Sequence, residues 1–347
     1  MVPAGAFADR VDEQKRLVAD LRASQKVFLI SPRRYGKSSL IRRALASLER
    51  RGAITVSVTV SSFSSYVAFL EGYARAIALA GNERWDRDRS APFAAARTDR
   101  DVARLAEEVF RQPAVLAESR RRKVVVALDE FQAIAGFNGG SVEHALRAAV
   151  QHQREVGYVF AGSEPTLMER MLGPKRPFYK AGPVMRLEKI PADEFAAFID
   201  ARFASSRIKT EPGLGAAIVE LAGNLPYDVQ RLAHETWDDV RSRNKRTAML
   251  DDLHAALTRL LSEQHTMFEA LWQRLTLPQR AALRAVVFED GWELHSADVR
   301  IRHRLGGAST VQAALAALVR DDVIARDGAR YVVVDSLLRE WVARQTF

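Results

Sequence analysis

Val27 to Leu45 reads V-F-L-I-S-P-R-R-Y-G-K-S-S-L-I-R-R-A-L, in which an apolar run, a polar loop and an amphipathic pattern follow one another. The apolar run, Val27 to Ile30, is short and ends at Ser31-Pro32, which is typical of a buried strand. After the loop, apolar residues recur at helical spacing, at Leu40, Ile41, Ala44, Leu45 and Leu48. A strand, a loop and a helix in this order form the context that a phosphate-binding P-loop requires.

The loop carries the residue types that phosphate binding needs. Gly36 lets the backbone turn closely beside a phosphate, and the helix after it directs free N–H groups and a positive dipole end at the anion. We expect Lys37 to reach the β- and γ-phosphates and the Ser38 hydroxyl to bind Mg²⁺. The usual pattern, G-x-x-x-x-G-K-[ST], has glycine where this chain has Ser31, so the alternative is a surface turn that contains Gly-Lys-Ser by chance.

A second candidate site lies at Lys123 to Ile134, which reads K-V-V-V-A-L-D-E-F-Q-A-I. Val124 to Leu128 is apolar without alternation, as in a strand that is covered on both faces. Asp129 and Glu130 follow at its carboxyl end, where ligands bind in open α/β sheets. We expect Asp129 to hold Mg²⁺, directly or through water, and Glu130 to be the general base for an attacking water. The alternative is a strand that simply ends in solvated acids.

The composition of the 347 residues limits the class of protein. Hydrophobic residues make up 48% and charged residues 27%, which is ordinary for a soluble globular protein of two or three domains. The lack of cysteine excludes disulfides, thiolate zinc sites and cysteine nucleophiles, and agrees with a reducing cytosol. The sequence has no run of about 18 apolar residues and no signal-peptide pattern at its start, so we expect a cytoplasmic protein without a membrane span.

The formal charge of +9 predicts an anionic partner. Residues 1–60 contain 12 basic and 5 acidic residues, so nearly all of the excess lies around the predicted P-loop. Phosphate handling is the favoured explanation, and a basic surface for nucleic acid is the alternative. The arginines of such a surface would be Arg33, Arg34, Arg42, Arg43, Arg50 and Arg51.

Strands and helices alternate through the first 190 residues. The remaining predicted strands are Ala53 to Val60, Gly157 to Ala161 and Val184 to Leu187. The predicted helices are Phe7 to Ala23, one that ends at Ala80, Asp101 to Phe110 within an insertion at 82–122, and Ser141 to Glu155 after a loop at Gly136 to Gly140. This alternation, with phosphate-binding and acidic residues at strand ends, predicts an α/β fold with a doubly wound parallel sheet, a P-loop nucleotide-binding domain over residues 1–190.

The chain beyond Pro191 has helical periodicity. Residues 191–264 are predicted to form a helical lid with helices at Glu194 to Phe203, Gly215 to Ala222, Tyr227 to Ser242 and Leu250 to Glu263. Residues 265–347 are predicted to form a winged-helix domain. Its helices are Leu277 to Val287, Ser296 to Leu305 and Ser309 to Val319, and Asp327-Gly328 is a hairpin turn between Val323 to Ala325 and Tyr331 to Val334.

The third helix of a winged helix usually reads the major groove of DNA. Here it offers the polar residues Ser309, Thr310, Gln312 and Arg320, and a basic cluster at Arg300, Arg302, His303 and Arg304 precedes it. Residues 265–347 contain 11 basic and 10 acidic residues, so they are nearly neutral. A module for protein interaction or packing is therefore the alternative to a DNA-binding domain.

Taken together, these motifs resemble the prokaryotic archaeal-type ATPases, a branch of the AAA+-related signal-transduction ATPases with numerous domains (STAND). S-P-R-R-Y-G-K-S-S-L is similar to that family's G-P-R-R-x-G-K-[ST]-S-L, and V-A-L-D-E-F-Q to its hydrophobic-D-E-F-Q site. A-G-S-E-P-T-L-M resembles its strand-end Gly-Ser sensor, and A-G-N-L-P-Y-D-V-Q its G-G-x-P-x-x-x-Q lid motif. The resemblance extends over nearly the whole chain and implies an AAA+-like nucleotide-binding domain, a lid and a winged helix.

The resemblance implies roles for individual residues. Ser163 would sense the γ-phosphate, Pro226 would lie near the adenine, and Asp129 and Glu130 would handle metal and water. The phosphates and Mg²⁺ would be bound by the P-loop, which comprises Pro32, Arg33, Arg34, Tyr35, Gly36, Lys37, Ser38 and Ser39. Ser31 and Asn224 depart from the family's glycines, although asparagine tolerates left-handed backbone well. Arg176 and Lys180 are candidates for an arginine finger that acts on another subunit, with a solvated surface as the alternative.

The two motifs predict a Mg²⁺-dependent ATPase, and the resemblance implies that it works as a molecular switch. Water would attack the γ-phosphate in line, oriented by Glu130, while Lys37 and Mg²⁺ neutralise charge. ATP rather than GTP rests on the resemblance alone, and a protein partner or a homo-oligomer would complete the site. The alternative is a DNA-binding regulator whose P-loop binds nucleotide with little turnover, and nucleotide-controlled binding of duplex DNA combines the two.

Overall fold

Residues 10–137 and 141–345 are described in a computed structural model, and they divide into two compact units. The N-terminal unit is Arg10–Glu188, and the C-terminal unit begins at Lys189. The start of the predicted helix Phe7 to Ala23 and the end of the predicted loop Gly136 to Gly140 lie outside the described residues. The division into domains at 1–190, 191–264 and 265–347 stays a prediction.

The N-terminal unit contains a five-stranded parallel sheet in the order β2-β3-β4-β1-β5. Its strands are β1 Lys26–Ile30, β2 Ile54–Thr59, β3 Val124–Asp129, β4 Val156–Gly162 and β5 Val184–Arg186. Its helices are α1 Val11–Arg22, α2 Lys37–Glu49, α3 Tyr66–Ala80, α4 Arg87–Ala95, α5 Asp99–Arg120, α6 Ser141–Val150 and α7 Pro165–Met171. The predicted doubly wound parallel sheet is confirmed.

The centre of the sheet brings three strand ends together. Strand β4 lies between β3 and β1, with Leu128 opposite Phe160 and Ile30 opposite Gly162. Val124 to Leu128 are completely buried, which explains their apolar run without alternation. Because the strands are parallel, the loops after β1, β3 and β4 all leave from the same edge of the sheet.

The insertion at 82–122 contains two helices, α4 and α5, where the sequence predicts one short helix at Asp101 to Phe110. Helix α5 begins with a Thr98–Asp101 capping box and continues through Pro113. An internal proline costs a helix about 3 kcal/mol. Here the buried apolar face of the helix, which continues beyond Pro113 at Leu116 and Ala117, offsets that cost.

The C-terminal unit is mostly helical. Its helices are α8 Ala192–Ser205, α9 Leu214–Leu221, α10 Pro226–Ser242, α11 Leu250–Arg274, α12 Leu277–Phe288, α13 Ala297–Arg302, α14 Ala308–Arg320 and α15 Ser336–Arg344. A short parallel pair consists of β6 Lys209–Thr210 and β7 Thr247–Ala248, and the hairpin consists of β8 Ile324–Asp327 and β9 Arg330–Val333. The predicted hairpin is thus present, while β6, β7 and α15 were not predicted.

Helix α11 runs through position 264, where the sequence predicts a domain boundary. One continuous hydrophobic core contains side chains from both sides of that position, such as Phe195, Leu257, Phe268 and Trp341. In addition, the buried Ser336 hydroxyl donates to the Asp228 carboxylate at 2.8 Å. The residues of the predicted lid and winged helix therefore pack as one body.

No helix within residues 10–137 and 141–345 combines the length and the apolar character that crossing a membrane would demand.

Candidate nucleotide-binding site

The loop between β1 and α2 has the backbone geometry of a phosphate-binding turn. Gly36 has a φ of +88°, and a Cβ placed there would meet nothing within 4 Å, so glycine is favoured by backbone conformation and not by crowding. Ser31, at the position of the usual first glycine, is fully buried, and its N–H donates to the Gly162 carbonyl at 3.1 Å. Ser31 therefore extends the pairing of β1 with β4, and this role tolerates a side chain.

Lys37 is the first residue of α2 and joins the two motifs that the sequence singles out. Its side chain is 6% exposed, and Nζ lies 2.8 Å from Asp129 Oδ1 and 2.9 Å from Glu130 Oε1. Both carboxylates come from the end of β3, across β4 from the P-loop. A lysine that is 92 or 93 positions away along the chain is thus in direct contact with both acids.

Ser38 and Asp129 form the second link between the motifs. The Ser38 hydroxyl donates to Asp129 Oδ2 at 2.7 Å, while Asp129 Oδ1 accepts from the Glu130 N–H at 2.9 Å. A hydroxyl and a carboxylate are the oxygen donors that Mg²⁺ prefers in P-loop proteins. These two residues fit the predicted metal site.

Glu130 accepts hydrogen bonds at both carboxylate oxygens. Oε1 faces Lys37, while Oε2 accepts from the Ser163 hydroxyl at 2.5 Å and from Gln132 Nε2 at 2.6 Å. Burial raises the pKa of the Glu130 carboxyl, but the hydrogen bonds from Ser163, Gln132 and Lys37 outweigh it and leave that pKa below its usual value. Glu130 is therefore ionised at neutral pH and is able to accept a proton.

The structure brings Lys37, Ser38, Asp129, Glu130 and Ser163 together within hydrogen-bonding distance. Ser163 follows β4, the strand between the other two motifs, as the resemblance implies for a sensor. The remaining P-loop residues lie in the loop before α2 and in its first turn, namely Pro32, Arg33, Arg34, Tyr35 and Ser39. Their contacts with a nucleotide stay predictions.

Two residues at this site were missed by the sequence interpretation. Gln132 contacts Glu130, as described above. Arg10 is 5% exposed, and its guanidinium donates to the carbonyl of Tyr35 in the P-loop at 3.0 Å and to the carbonyl of Glu188 at 2.6 Å. The D-E-F-Q motif contains a signal for Gln132, but no local pattern links Arg10 to a loop 25 residues away.

The remaining predicted residues lie elsewhere. Asn224 has a φ of +55°, so it adopts the left-handed backbone that the family's glycine would favour. Pro226 begins α10 in the C-terminal unit, and its place near the adenine stays a prediction. Arg176 contacts the buried Glu143 at 3.0 and 3.3 Å, which gives this finger candidate a partner in its own unit. The other candidate, Lys180, lies 5.3 Å from the ring centre of Tyr179.

Among the described residues, His, Asp and Glu do not gather in groups of three or more that could hold a metal ion. Mg²⁺ commonly takes one or two protein oxygens and completes its shell with phosphate and water. Ser38 and Asp129 fit a site of that kind.

Comparison with known families agrees with this geometry. Residues 22–171 match the family model described as AAA domain, and residues 266–344 match the one described as probable winged helix domain. The two matches cover separate parts of the chain, one in each of its compact units. The N-terminal match contains the P-loop, the acids after β3 and Ser163. No curated protein sequence matches the chain.

Solved structures resemble the chain over almost its full length. The Walker-type ATPase PABY2304 of Pyrococcus abyssi aligns with a TM-score of 0.68 at 17% identity, covering 99% of this chain and 97% of that one. The Aeropyrum pernix ORC1 protein in complex with DNA aligns with a TM-score of 0.58 at 14% identity, covering 99% and 94%. The Aeropyrum pernix ORC2 protein, in ADPNP–ADP complexes, aligns with a TM-score of 0.60 at 13% identity, covering 97% and 94%. The chain thus shares the fold of these three structures.

Proposed function

We propose that the protein binds ATP and hydrolyses it with Mg²⁺, and that it acts as a nucleotide-dependent molecular switch. The observation that carries this proposal is the contact of Lys37 and Ser38, at the start of α2, with Asp129 and Glu130, at the end of β3. A Gly-Lys-Ser turn alone could be a surface turn, and an acidic strand end alone could be a strand that ends in solvated acids. Their meeting at one edge of a parallel sheet of this fold supports a nucleotide site.

Each residue has a role that follows from its chemistry. Gly36 and the free N–H groups at the start of α2 would hold the phosphates, and Lys37 would place its charge on the β- and γ-phosphates. Glu130, ionised and fixed at both oxygens, would orient the attacking water and accept its proton. Ser163, which donates to Glu130, is placed to respond when a γ-phosphate enters.

Ser38 and Asp129 would hold Mg²⁺. When bound, the ion supplies positive charge to the β- and γ-phosphates and lowers the barrier to their separation. Lys37 is a buried cation in contact with the carboxylates of both Asp129 and Glu130. A further cation would favour the binding of a triphosphate beside these acids.

The contacts of Lys37 also support a switch in preference to a rapid catalyst. A phosphate group has to compete with two carboxylates at 2.8 and 2.9 Å for the same ammonium group. Binding energy is then used to rearrange the site, and turnover stays slow until a partner supplies further positive charge. A protein partner or a second copy of the chain would have this role, in keeping with the resemblance to the STAND ATPases.

The test measures ATP affinity and turnover for the wild type, Lys37→Ala and Glu130→Gln. We expect Lys37→Ala to lose binding and Glu130→Gln to bind but not hydrolyse. Lys26→Ala is the matched control, because Lys26 is a half-buried lysine at the opposite end of β1 whose Nζ donates to the carbonyls of Ser24 and Gln153. Retention of wild-type ATP affinity by Lys37→Ala would end the proposal.

A second candidate function is binding of duplex DNA by the winged helix. It is favoured by the exposure of Ser309, Thr310, Gln312 and Arg320 on α14, the helix that reads DNA in related folds, and by the similarity in fold to an ORC1 protein solved with DNA. Arg302 and His303 both contact Glu289, at 2.8 and 2.7 Å, and these hydrogen bonds lower the pKa of that carboxyl. The basic cluster is thus partly neutralised, and α14 has to supply much of the contact.

Point substitutions test this candidate better than truncation, because cutting at 264 would divide α11 and the shared core. We expect Arg320→Ala to weaken duplex binding and to reduce the slope of log affinity against log salt by about one. Arg274→Ala, which removes an equal charge from the exposed end of α11, should leave both unchanged. Equal effects of the two substitutions would show that only general charge matters.

A further inference from the structure

Gln132 lies at the centre of the hydrogen bonds around Glu130. Its side chain is buried, with 6% of the residue exposed. The amide nitrogen faces three oxygens, Glu130 Oε2 at 2.6 Å, Ser163 Oγ at 3.3 Å and Glu164 Oε1 at 3.4 Å. The shortest of these contacts is the one to the carboxylate that we assign as the base.

The orientation of this amide follows from its surroundings. Gln132 Oε1 is buried and has no hydrogen-bond partner among the described residues, which is unfavourable because the oxygen has left water without a replacement hydrogen bond. The reversed amide would place this oxygen against the carboxylate of Glu130 and near that of Glu164, which is worse electrostatically. The carboxylates therefore fix the nitrogen on their own side, and the unpaired oxygen is the cost of that arrangement.

The backbone conformation allows the Gln132 side chain to contact the carboxylate of Glu130. Glu130 has a φ of +53°, a left-handed conformation that is unfavourable for a non-glycine residue, and a 3₁₀ helix, Phe131–Gly136, follows it. On the other side, a Cβ on Gly162 would come within 2.9 Å of Gln132 Oε1 and 2.3 Å of Met168 Cγ. Strain at Glu130 and the missing side chain at Gly162 together make room for this contact.

We propose that Gln132 is the positioning residue for Glu130, an inference that rests on the proposed ATPase function. A carboxylate oxygen accepts about two hydrogen bonds, and Oε2 receives both of its own from Gln132 and Ser163. Among the described residues Oε1 accepts from Lys37 alone, so it keeps one acceptor position. Gln132 thereby determines which carboxylate oxygen is left to take a proton from water.

The experiment compares Gln132→Met and Gln132→Glu with the wild type. Methionine keeps the length of the side chain but removes the donor, and glutamate replaces the donor by a second carboxyl group. Gln153→Met is the matched control, because Gln153 is equally buried but binds Phe110 and Tyr158 at the other end of β4. The first readout is the midpoint of thermal unfolding, Tm, of each variant both with Glu130 and with Glu130→Gln, which removes the charge that the Gln132 amide faces.

We expect Gln132→Met to lower the Tm clearly less in the Glu130→Gln background than beside Glu130, because the hydrogen bond to the charged carboxylate is already absent there. In Gln132→Glu two carboxyl groups share one site, so Glu130→Gln should raise the Tm of that variant. Gln153→Met should lower the Tm equally in both backgrounds. An equal loss of Tm for Gln132→Met in both backgrounds would overturn the proposal.

The second readout is ATP turnover. We expect Gln132→Met to reduce kcat about tenfold with a KM within about twofold of the wild type, because the base is mispositioned while the nucleotide is still bound. A kcat equal to that of the wild type would also contradict the role. If the wild type does not hydrolyse ATP, the proposed function fails, whereas the comparison of Tm values still decides whether Gln132 is coupled to Glu130.

Discussion

Replacement of Arg176 by methionine should destabilise the N-terminal unit and leave nucleotide binding intact. Arg176 contacts both oxygens of Glu143, whose side chain is 1% exposed, while that of Arg176 is 42% exposed. Removing one partner of a fully buried ion pair costs roughly 3–5 kcal/mol, and an exposed pair is worth about 0–1 kcal/mol. Because water reaches Arg176 but not Glu143, we expect the free energy of unfolding to fall by an intermediate amount, about 2 kcal/mol.

Calorimetry of the N-terminal unit measures this loss. For a unit of this size, 1 kcal/mol corresponds to a Tm change of about 2–4 °C, so we expect a Tm lower by about 4–8 °C. Arg186→Met is the matched control, because Arg186 and Glu169 form an ion pair that is about half exposed on both sides. The free energy of unfolding of that variant should fall by less than about 1 kcal/mol.

The effect should depend on pH in a defined direction. Burial raises the pKa of Glu143 above 4.5 despite the opposing charges of Arg176 and His144. A folded-state pKa above the unfolded one contributes stability that is present at low pH and lost as pH rises through the folded pKa. Arg176→Met raises that pKa further, so its deficit should be largest near neutral pH and shrink on acidification.

The same variant distinguishes a structural arginine from an arginine finger. In a Glu143→Gln background the buried charge is absent, so Arg176→Met should then cost clearly less than it does in the wild type. An unchanged Tm together with a loss of ATP turnover would refute the structural reasoning and support the finger role.

Three further predictions follow from other contacts. Arg10→Met removes the hydrogen bonds to Tyr35 and Glu188, so we expect ATP affinity to fall about threefold to tenfold and stability by about 1–2 kcal/mol, measured by titration and urea unfolding. Gly291→Ala should lower the free energy of unfolding by on the order of 3 kcal/mol, because the new Cβ would lie 1.7 Å from the Tyr331 carbonyl oxygen. Gly328 has a φ of +62° and open space around it, so Gly328→Ala should lower the free energy of unfolding by only about 1 kcal/mol in the same assay. Chelation of Mg²⁺ should weaken ATP binding at least about tenfold in equilibrium titrations, and equal affinity with and without the ion would contradict the assignment of Ser38 and Asp129.

The sheet and the meeting of the two motifs could be predicted because both depend on local patterns. The apolar run at Val124 to Leu128 reflects burial on both faces, and parallel strands place their following loops at one edge. Lys37 and Glu130 were thus expected at the same edge without knowledge of the strand order. The order β2-β3-β4-β1-β5 itself was not predicted, because it depends on the path of each crossover.

Other features could not be predicted because packing outweighs the local signal. Helix α5 continues through Pro113, and α11 passes the predicted boundary at 264, since each has an apolar face that a core covers. The contact of Gln132 with Glu130 requires a left-handed glutamate, a conformation that residue type does not encode. Arg10 meets Glu188 across 178 positions, and only the folded chain brings them together.

The charges around Lys37 connect the fold with the proposed switch. Two carboxylates lie within 3 Å of one buried lysine, and Glu164 adds a third to the same network through Gln132. A triphosphate adds negative charge to a region where acids already outnumber the cation, so it cannot settle there unless Lys37 changes partners or a further cation enters. A change of partner by Lys37 would loosen the hold on Glu130 Oε1, while Gln132 and Ser163 would keep Oε2 in place. In the proposed switch, nucleotide binding and release of the base would therefore be coupled through a single ammonium group.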